Sequence, residues 1–434
     1  MSAVPSESAD GDTQVSEGSS PASPAAGAVR DPDSQSQLML LGMQQRSECG
    51  YCGSANGSRF LGMRAPRLTC GDYQELIDRG WRRSGTLLYL TDHSDSCCAY
   101  YTIRTHALEY KLEATDKKIL RKMRQHAATA EAGPTNEEEE EDELMRRVRG
   151  IEVGGLFEVR LERAGFSEEK YRVFEKYQVA VHGDEDATRH GFKRFLCDSP
   201  LQYQPVAQSE PSGLPLSVHG LGSYHQCYYL GGRLVAVGVL DILPHCVSSV
   251  YLFYDPEYAH LSLGKYSALR EIALVRQLHA QQESFPELRY YYMGYYIPTC
   301  PKMKYKERWR PADLLDLVTL KWVPIERCVQ RIARHPVFCT FDPRVDSLGI
   351  VRDRRDRILE TAPRIDPALV TPEQRRALGH IAVFVFWTEN GMPKYGVAPA
   401  AQVAKLEGLE ALVLQMMASI GEELARRVIL SIQM

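Results

Sequence analysis

Four cysteines occur as two close pairs, a spacing that is typical of a metal site. Cys49 and Cys52 form a C-x-x-C motif on a glycine-rich turn, and Cys97 and Cys98 are adjacent further along the chain. Two thiolates from each segment would complete the four-cysteine set that binds zinc or an iron–sulfur cluster. The alternative is that they are redox-active or buried free cysteines, because structural disulfides are rare in a reducing compartment.

One carboxylate, Asp241, interrupts an otherwise apolar run that extends from Arg233 to Leu243. A buried carboxylate needs a partner, so Asp241 could accept a proton from an attacking amine or pair with a cationic group of a substrate. The alternative is a structural role in which Asp241 bonds to the backbone just before Pro244. Polar side chains on the neighbouring segments could orient a substrate: Tyr224, His225, Ser248, Ser249 and Tyr254.

Two further segments combine basic and aromatic residues. Trp81 precedes Arg82 and Arg83, and this combination could stack on a base while it pairs with phosphates. The alternative is a packed Trp beside two solvated arginines. The second segment, residues 298–311, is called the basic lip below, and its cations are Lys302, Lys304, Lys306, Arg308 and Arg310. It follows a predicted core strand, where enzymes often place ligand-binding groups, although a solvated basic loop would have the same composition.

Strands and one helix must position these residues. Gly231 and Gly232 predict a tight hairpin between strands at 224–230 and 233–243. A third strand, 247–254, ends at Asp255-Pro256, and 288–297 has the composition of a buried strand. Between these two strands the spacing of four residues predicts a helix with one buried face: Tyr266, Leu269, Ile272 and Ala273.

This order of strand, glycine-containing loop and helix resembles the core of an N-acyltransferase of the GNAT type. The resemblance implies that the loop amides and the helix dipole face an anion, and Lys265 lies in that loop. The loop sequence HLSLGK lacks the denser glycines of acetyl-CoA enzymes. That difference argues against coenzyme A as the donor and leaves room for another activated acyl carrier.

Length and composition bound the organisation of the chain. A chain of 434 residues that is 44% hydrophobic is sufficient for two or three globular domains, and a net charge of −4 argues against a globally basic nucleic-acid binder. No apolar run reaches the length of a membrane span, and no signal pattern begins the sequence, so we expect a protein of the cytoplasm or nucleus with no membrane partner. We predict an α+β protein with five regions: a disordered tail (1–46), a small cysteine-rich metal-binding domain (47–113), a charged linker (114–150), a GNAT-like catalytic domain with a mixed sheet (151–330), and a C-terminal extension (331–434) that either closes the catalytic sheet or is a separate interaction module.

Several long motifs, in order between Ser47 and Cys328, resemble the eukaryotic arginyl-tRNA:protein transferases: CGYC, DYQELIDRGWRRSG, CCAYYTIR, YHQCYYLGGRLVAVGVLDILPHC, LSLGKYSALREIAL and YYMGYYIPTCPKMKYKERWRP. The resemblance implies transfer of arginine from Arg-tRNA to the α-amine of proteins that begin with Asp, Glu or oxidised Cys, which marks them for the N-degron pathway. It also implies a GNAT-like core, and an iron–sulfur cluster or zinc on Cys49, Cys52, Cys97 and Cys98. Beyond Cys328 the chain matches the family only loosely, and the resemblance implies no functional residue there.

The chemistry of such a transfer needs neither ATP nor CoA, because an aminoacyl ester is already activated. An α-amine has a pKa of ~8, so one carboxylate can take its proton, and Asp241 is the candidate for this base or for the anchor of the arginine guanidinium. Lys302, Lys304, Lys306 and Arg310 could bind the acidic terminus of the acceptor, and Arg82, Arg83 and Lys265 could bind tRNA phosphates.

Two other functions share part of this evidence. An acetyl-CoA-dependent N-acetyltransferase would share the core, and a non-catalytic, metal-bearing tRNA-binding protein would share the cysteines and the basic segments. Nothing in the sequence indicates an oligomeric state.

Overall fold

The computed structural model describes residues 35–93, 96–127, 142–153, 155–206, 218–281, 284–334, 338–342, 372–389, 392–406 and 409–433, and these form an α+β fold with two mixed sheets. The strands are β1 (Gln37–Met43), β2 (Phe60–Arg67), β3 (Arg82–Ser84), β4 (Leu87–Thr91), β5 (Tyr101–His106), β6 (Phe157–Arg163), β7 (Gln204–Pro205), β8 (Gly220–Leu230), β9 (Arg233–Ile242), β10 (Cys246–Tyr254), β11 (Tyr290–Tyr296), β12 (Ala312–Asp316), β13 (Lys321–Pro324), β14 (Ala382–Glu389), β15 (Met392–Pro399) and β16 (Ile429–Gln433). The α-helices are α1 (Cys70–Ile77), α2 (Ala114–Ala127), α3 (Glu143–Glu152), α4 (Glu168–Tyr177), α5 (Arg189–Phe192), α6 (Leu263–Ala280), α7 (Pro301–Lys304), α8 (Ile325–Arg334), α9 (Pro372–Ala377), α10 (Ala400–Val403), α11 (Glu410–Ile420) and α12 (Glu422–Arg427). Among these residues, no helix has both the length and the apolar content needed to cross a bilayer.

The larger sheet contains the predicted hairpin and helix. Its strands run in the order β13-β12-β5-β11-β10-β9-β8-β6, with β7 paired to β8. Gly231 and Gly232 adopt φ angles of 58° and 77°, which a two-residue hairpin turn between β8 and β9 requires. Helix α6 packs against β10 and β11, and Tyr266, Leu269 and Ile272 are fully buried. The predicted hairpin and helix are confirmed, but burial is not limited to one face of the helix, because every residue from Tyr266 to Val275 is buried.

Strands β10 and β11 are parallel neighbours that separate after a short contact. Their pairing covers Cys246–Ser248 opposite Tyr290–Tyr292, and no further pair forms between the described residues of the two strands. Both strands are irregular just beyond this point, β10 between Ser249 and Tyr251 and β11 between Tyr292 and Tyr295. We call the gap between residues 249–254 and 293–296 the strand opening.

The smaller sheet joins the two ends of the described chain. Its order is β15-β14-β16-β1-β2-β4-β3, and β1 is parallel to β16. Strand β1 lies inside the predicted tail of residues 1–46, where alternating Leu38 and Leu40 are buried between β2 and β16. The prediction of a disordered tail therefore does not hold for residues 37–43. Their alternating apolar pattern is short, and the polar composition of the preceding residues outweighed it in the sequence analysis. Strands β14 and β16 belong to the C-terminal extension, which completes this sheet and not the larger one.

The predicted charged linker contains two packed helices. In α2 and α3 the residues Leu120, Met123, Leu144 and Val148 are buried, and both helices contact α6. Their charges occupy the outer faces, while apolar residues recur every three or four positions on the inner face. The structure thus differs from a solvated linker at 114–127 and 143–150, and most of the acidic run lies outside the described residues.

Candidate functional site

The four cysteines of the sequence pattern meet at one point. All of their Sγ atoms lie within 4.8 Å of one another, and Cys52 Sγ is 3.2 Å from Cys97 Sγ. Cys49 and Cys98 are buried, whereas Cys52 and Cys97 are exposed. The adjacent pair occupies a bend, as two neighbouring ligands require, and the amide of Cys97 donates to the carbonyl of Gly57 at 2.8 Å. This four-cysteine cluster is a candidate metal centre.

The immediate surroundings of the cluster favour thiolate at one position and leave room for the sulfurs. Burial raises the pKa of Cys49, but the Tyr100 hydroxyl, 3.1 Å away, and two backbone amides outweigh it and bring the pKa to about 7. A Cβ atom at Gly57 would lie 2.5 Å from Cys97 Sγ. Only glycine fits there, because a real Cβ makes no contact that close. The residues present therefore fit a four-thiolate metal site.

The cluster packs directly on the start of the basic lip. Cys49, Cys98 and Tyr100 form one buried group with Ile297 and Cys300. Ile297 immediately follows β11, and Cys300 immediately precedes α7, so the cluster fixes the position at which the chain leaves the larger sheet. This contact connects the candidate metal centre to the strand opening.

Asp241 is fully buried, and its carboxylate is hydrogen-bonded to other side chains of the same protein. Arg83 donates from Nε to Oδ2 at 2.8 Å and from Nη2 to Oδ1 at 2.7 Å. Ser223 donates its hydroxyl to Oδ1 at 2.6 Å. Three donors and complete burial make Asp241 the anionic partner of a structural ion pair. Its structural partner is Arg83 instead of the backbone, and this geometry does not support the two chemical roles predicted for Asp241, which stay predictions.

The arginines that were predicted to bind tRNA are also buried. Arg83 is 5% exposed and Arg82 is 7% exposed, so neither can reach a phosphate in this arrangement. Trp81 is fully buried and donates its indole N–H to the Ser419 carbonyl at 3.3 Å, which agrees with the packed-Trp alternative. Arg82 Nη2 lies 3.4 Å from the carbonyl of Gly294, in the irregular part of β11. Arg82 and Arg83 therefore connect the two sheets. The sequence analysis predicted arginines that bind phosphates or, as the alternative, arginines exposed to solvent, and the structure shows neither.

Lys306 of the basic lip, like Arg82, donates to backbone carbonyls of β11. Its ammonium donates to the carbonyls of Met293 and Tyr295 at 2.6 and 2.9 Å, and the residue is 9% exposed. Burial and the charge of Arg82 lower its pKa to about 7. Together the two cations bind three successive carbonyls of β11 and stabilise its departure from β10. Lys306 is therefore not available to an acceptor peptide, contrary to the prediction.

The other predicted lip residues remain at the surface. Lys302 and Lys304 are exposed, and Arg310 is half exposed beside Glu326 at 3.4 Å. Lys302 lies near His182 on the segment after α4: burial, and to a smaller extent the Lys302 charge, lowers the pKa of His182, whose Nε2 is 3.3 Å from the Tyr251 hydroxyl of β10 at the opening. Lys265 is likewise exposed in the first turn of α6. These four cations are positioned where a ligand can meet them.

Of the polar residues predicted to orient a substrate, two are enclosed in the sheet. The Tyr224 hydroxyl donates to the Gly220 carbonyl at 2.6 Å. His225 is fully buried between the Lys170 ammonium, 3.0 Å from Nδ1, and the Leu196 carbonyl, 3.0 Å from Nε2. Burial, assisted by the Lys170 charge, lowers the pKa of His225 to about 4. Both residues are structural, which corrects their predicted role.

The remaining three polar residues lie on β10 at the opening. Ser248 is the last residue of β10 that pairs with β11, and Ser249 follows it. The Tyr254 ring packs edge-on against Tyr177 of α4, with the ring centroids 4.9 Å apart. Ser248, Ser249 and Tyr254 therefore lie at or next to the strand opening, and their role in orienting a substrate stays a prediction.

A carboxylate that the sequence analysis did not select lies at the same level. Glu271 of α6 is 1% exposed, and burial raises its pKa to about 7. The Tyr291 hydroxyl donates to Oε2 at 2.5 Å, while Oε1 has no hydrogen-bond partner. The sequence offered one indication of this carboxylate: an acidic residue stands directly beside Ile272 in a helix that is otherwise mostly apolar. Glu271 has the free oxygen that Asp241 lacks.

Comparison with known proteins gives consistent relatives along the chain. The model of the family described as "Arginine-tRNA-protein transferase, N terminus" matches residues 47–118, and the corresponding C-terminus model matches residues 169–316. The arginyl-tRNA–protein transferase 1 of Drosophila melanogaster is 32% identical over a match that covers 65% of this chain and 81% of the fly protein. The protein of the same name from Saccharomyces cerevisiae is 35% identical over 64% of this chain and 55% of its own length. An aspartate/glutamate leucyltransferase of Stutzerimonas stutzeri is 30% identical over 58% of this chain and 83% of its own length.

Proposed function

The chain belongs to the arginyl-tRNA–protein transferase family and is therefore an aminoacyltransferase. On this basis we propose that the strand opening is the place where arginine passes from Arg-tRNA to a protein α-amine. The acceptors we propose begin with Asp, Glu or oxidised Cys, which is the known role of this family in the N-degron pathway. Exposed cations at the opening, Lys302 and Lys304, support an acidic acceptor terminus. The proposal needs neither ATP nor CoA.

The observation that carries the proposal is the separation of β10 from β11 above α6. A parallel strand–helix–strand unit whose strands pair over three positions and then separate is the arrangement we assign to a GNAT-like acyltransferase core. Backbone groups on the facing edges of separated strands lack ladder partners. Amides in this position could bind the carbonyl oxygen of the ester and the oxyanion that forms when the amine attacks.

The reaction requires positioning more than activation. The aminoacyl ester bond breaks as the amide bond forms, and the tRNA 3′ hydroxyl leaves. The acceptor amine must be neutral to attack, and with a pKa of ~8 it loses its proton readily near neutral pH. A site that holds the ester carbonyl and the amine together supplies most of the rate enhancement through proximity.

A basic helix face beside the opening is the proposed contact for the tRNA backbone. Lys118, Arg121 and Arg124 are exposed on α2, and Lys122 of the same helix donates to the His260 carbonyl, just before α6. Arg308 of the lip pairs with Asp116 of α2 at 2.5 Å, so this face continues into the lip. We propose that α2 takes the place of the buried Arg82 and Arg83 in binding tRNA phosphates.

We propose that the four-cysteine cluster holds a single tetrahedral ion. Tetrahedral zinc with Zn–S bonds of about 2.3 Å places its sulfurs roughly 3.8 Å apart. All four Sγ atoms here fall within 4.8 Å, which supports one ion, because an iron–sulfur cluster puts several atoms between its cysteines. The bound metal would supply a structural crosslink between the two cysteine pairs.

The test is incorporation of labelled arginine from Arg-tRNA into peptides that differ only in their first residue, Asp, Glu or Ala. We expect incorporation into the first two and little into the third, and acetyl-CoA should not label any of them. Equal or absent incorporation into all three peptides would contradict the proposal.

The tRNA surface is tested by reversing two charges on α2. The Arg121→Glu/Arg124→Glu variant should weaken tRNA binding roughly tenfold or more and reduce the dependence of affinity on salt concentration. The matched control, Lys394→Glu/Lys405→Glu, makes the same charge change at exposed residues of the C-terminal region and should bind as the unaltered protein does. Equal weakening in both variants would show that only net charge matters.

A further inference from the structure

Glu271 is a buried carboxylate without a cationic partner. Within the described residues no Lys or Arg lies in ion-pair distance of it, although the nearby Arg270 of the same helix pairs with Glu152 at 2.7 Å. Its Oε2 is bound by Tyr291, but Oε1 has neither a donor nor solvent. Leaving one oxygen of a buried carboxylate without a donor is unfavourable, and a ligand that completes the contacts would explain why Oε1 is left so.

A glycine in the neighbouring strand leaves the free oxygen without a side chain packed against it on that side. A Cβ atom at Gly238 of β9 would lie 3.2 Å from Glu271 Oε1, closer than nearly all real Cβ contacts. Glycine weakens a strand interior because it packs no side chain, and it commonly marks a close approach of another group. Gly238 pairs with Leu252 of β10, in the part of β10 that lines the strand opening.

The same carboxylate lies beneath the basic lip. Burial, and to a smaller extent the charge of Glu271, raises the pKa of Tyr305, a lip residue that is 39% exposed. Ser249 of β10 also interacts with the Glu271 carboxylate and favours its ionised form. Groups from β10, β11 and the lip therefore lie around the Glu271 carboxylate.

We propose that Glu271, through its free Oε1, binds the guanidinium of the arginyl group that is being transferred, and so selects arginine among aminoacyl groups. This inference rests on the proposed function of the strand opening. A guanidinium is planar and always charged, and it pairs well with a carboxylate in a site shielded from water. An arriving guanidinium would also restore the ionised state that burial disfavours in the free protein.

Arginine and citrulline on the same tRNA give a direct test. Citrulline has nearly the shape of arginine but carries a neutral ureido group. We expect the unaltered protein to have a kcat/KM for arginyl-tRNA roughly 100-fold above that for the citrullyl form, and Glu271→Gln to bring this ratio close to one. The loss should fall on the arginyl donor, because a Gln side chain still hydrogen-bonds a ureido group.

A second variant covers the case in which Glu271→Gln does not fold. Gly238→Ala keeps the carboxylate but places a methyl group against Oε1, and it should reduce the same ratio by a smaller factor. Glu152→Gln is the control, since it neutralises another acid next to α6, one that is partly buried, and should leave the ratio unchanged.

Each outcome has a distinct meaning. If Glu271→Gln lowers both donors by the same factor, Glu271 acts as a base or as a structural group, and the proposal is wrong. If the unaltered protein transfers neither aminoacyl group, the proposed function itself fails. A ratio near 100 that survives both Glu271→Gln and Gly238→Ala would place arginine recognition elsewhere.

Discussion

At the scale of single residues, the main finding is how the buried charges are paired. Asp241 was singled out because it interrupts an apolar strand, and that reasoning correctly predicted a buried carboxylate with a partner. The partner is Arg83, which the sequence analysis had assigned to tRNA. Each residue satisfies the other, so neither is free for chemistry.

The buried pair gives a stability prediction. Asp241→Asn should lower the free energy of unfolding by about 3–5 kcal/mol, because it leaves the Arg83 guanidinium buried without a counter-charge. Chemical denaturation measures this change. The double variant Arg83→Met/Asp241→Leu should lose less than the single one, since no unpaired charge remains. Asp184→Asn, at an exposed position, is the control.

A different outcome would restore a catalytic role for Asp241. If Asp241→Asn unfolded like the unaltered protein but lost arginine transfer, the carboxylate would be acting on substrate. The bidentate geometry at 2.7 and 2.8 Å argues for the loss of stability.

At the scale of elements, the lip is positioned by contacts at both of its ends. The four-cysteine cluster packs on Ile297 and Cys300 at its start, and Lys306 binds the irregular part of β11 from within it. An element held at two points presents Lys302 and Lys304 in a fixed place over the opening. The metal centre would therefore influence acceptor binding through position and not through chemistry.

Removal of the metal should loosen the lip selectively. After chelation, or in Cys52→Ser, we expect amide hydrogen exchange across residues 298–304 to increase by roughly tenfold or more, because the crosslink that supports Ile297 and Cys300 is lost. Exchange in the β8–β9 hairpin at Gly231 should not change. Cys197→Ser, which alters a cysteine outside the cluster, serves as the control.

Identical exchange across residues 298–304 with and without metal would show that the cluster does not support the lip. Lys306 would then be the group that positions it.

At the scale of the whole molecule, the smaller sheet is assembled from distant parts of the chain. Strand β1 lies between β2 and β16, and Leu38 pairs in register with Leu430. Trp81, which precedes β3, is covered by the helix that carries Ser419. The C-terminal extension thus shares one hydrophobic core with the segment between the two cysteine pairs, from Leu61 to Leu90.

This arrangement predicts the effect of one substitution in the last strand. Leu430 is fully buried, so Leu430→Ala should cost about 2–5 kcal/mol of unfolding free energy. It should do so within the same cooperative transition that reports on the larger sheet. Leu406→Ala, at a residue 44% exposed, should cost much less.

Thermal and denaturant unfolding followed by two probes provide the measurement. If Leu430→Ala shifted only a separate, minor transition, the C-terminal extension would be an independent module.

Much of the local structure was predictable from the sequence by itself. The hairpin needs positive φ angles that Gly231 and Gly232 supply, and the apolar spacing of Tyr266, Leu269 and Ile272 predicts helix α6, in which all three are buried. The pairing of C-x-x-C with Cys97-Cys98 indicated one metal site, and the four sulfurs converge. These features depend on neighbours in the sequence or on ligand chemistry that leaves few solutions.

Only the tertiary structure decided which charged side chains are buried in contacts that stabilise the fold. Arg83 and Asp241 are 158 residues apart, and nothing local distinguishes a lysine such as Lys306, which binds backbone carbonyls, from Lys302 a turn earlier. Burial of a charge is set by what surrounds it in three dimensions, so composition identifies the candidates but not their partners. For the same reason Glu271 emerged only when the strands that separate around it were in place.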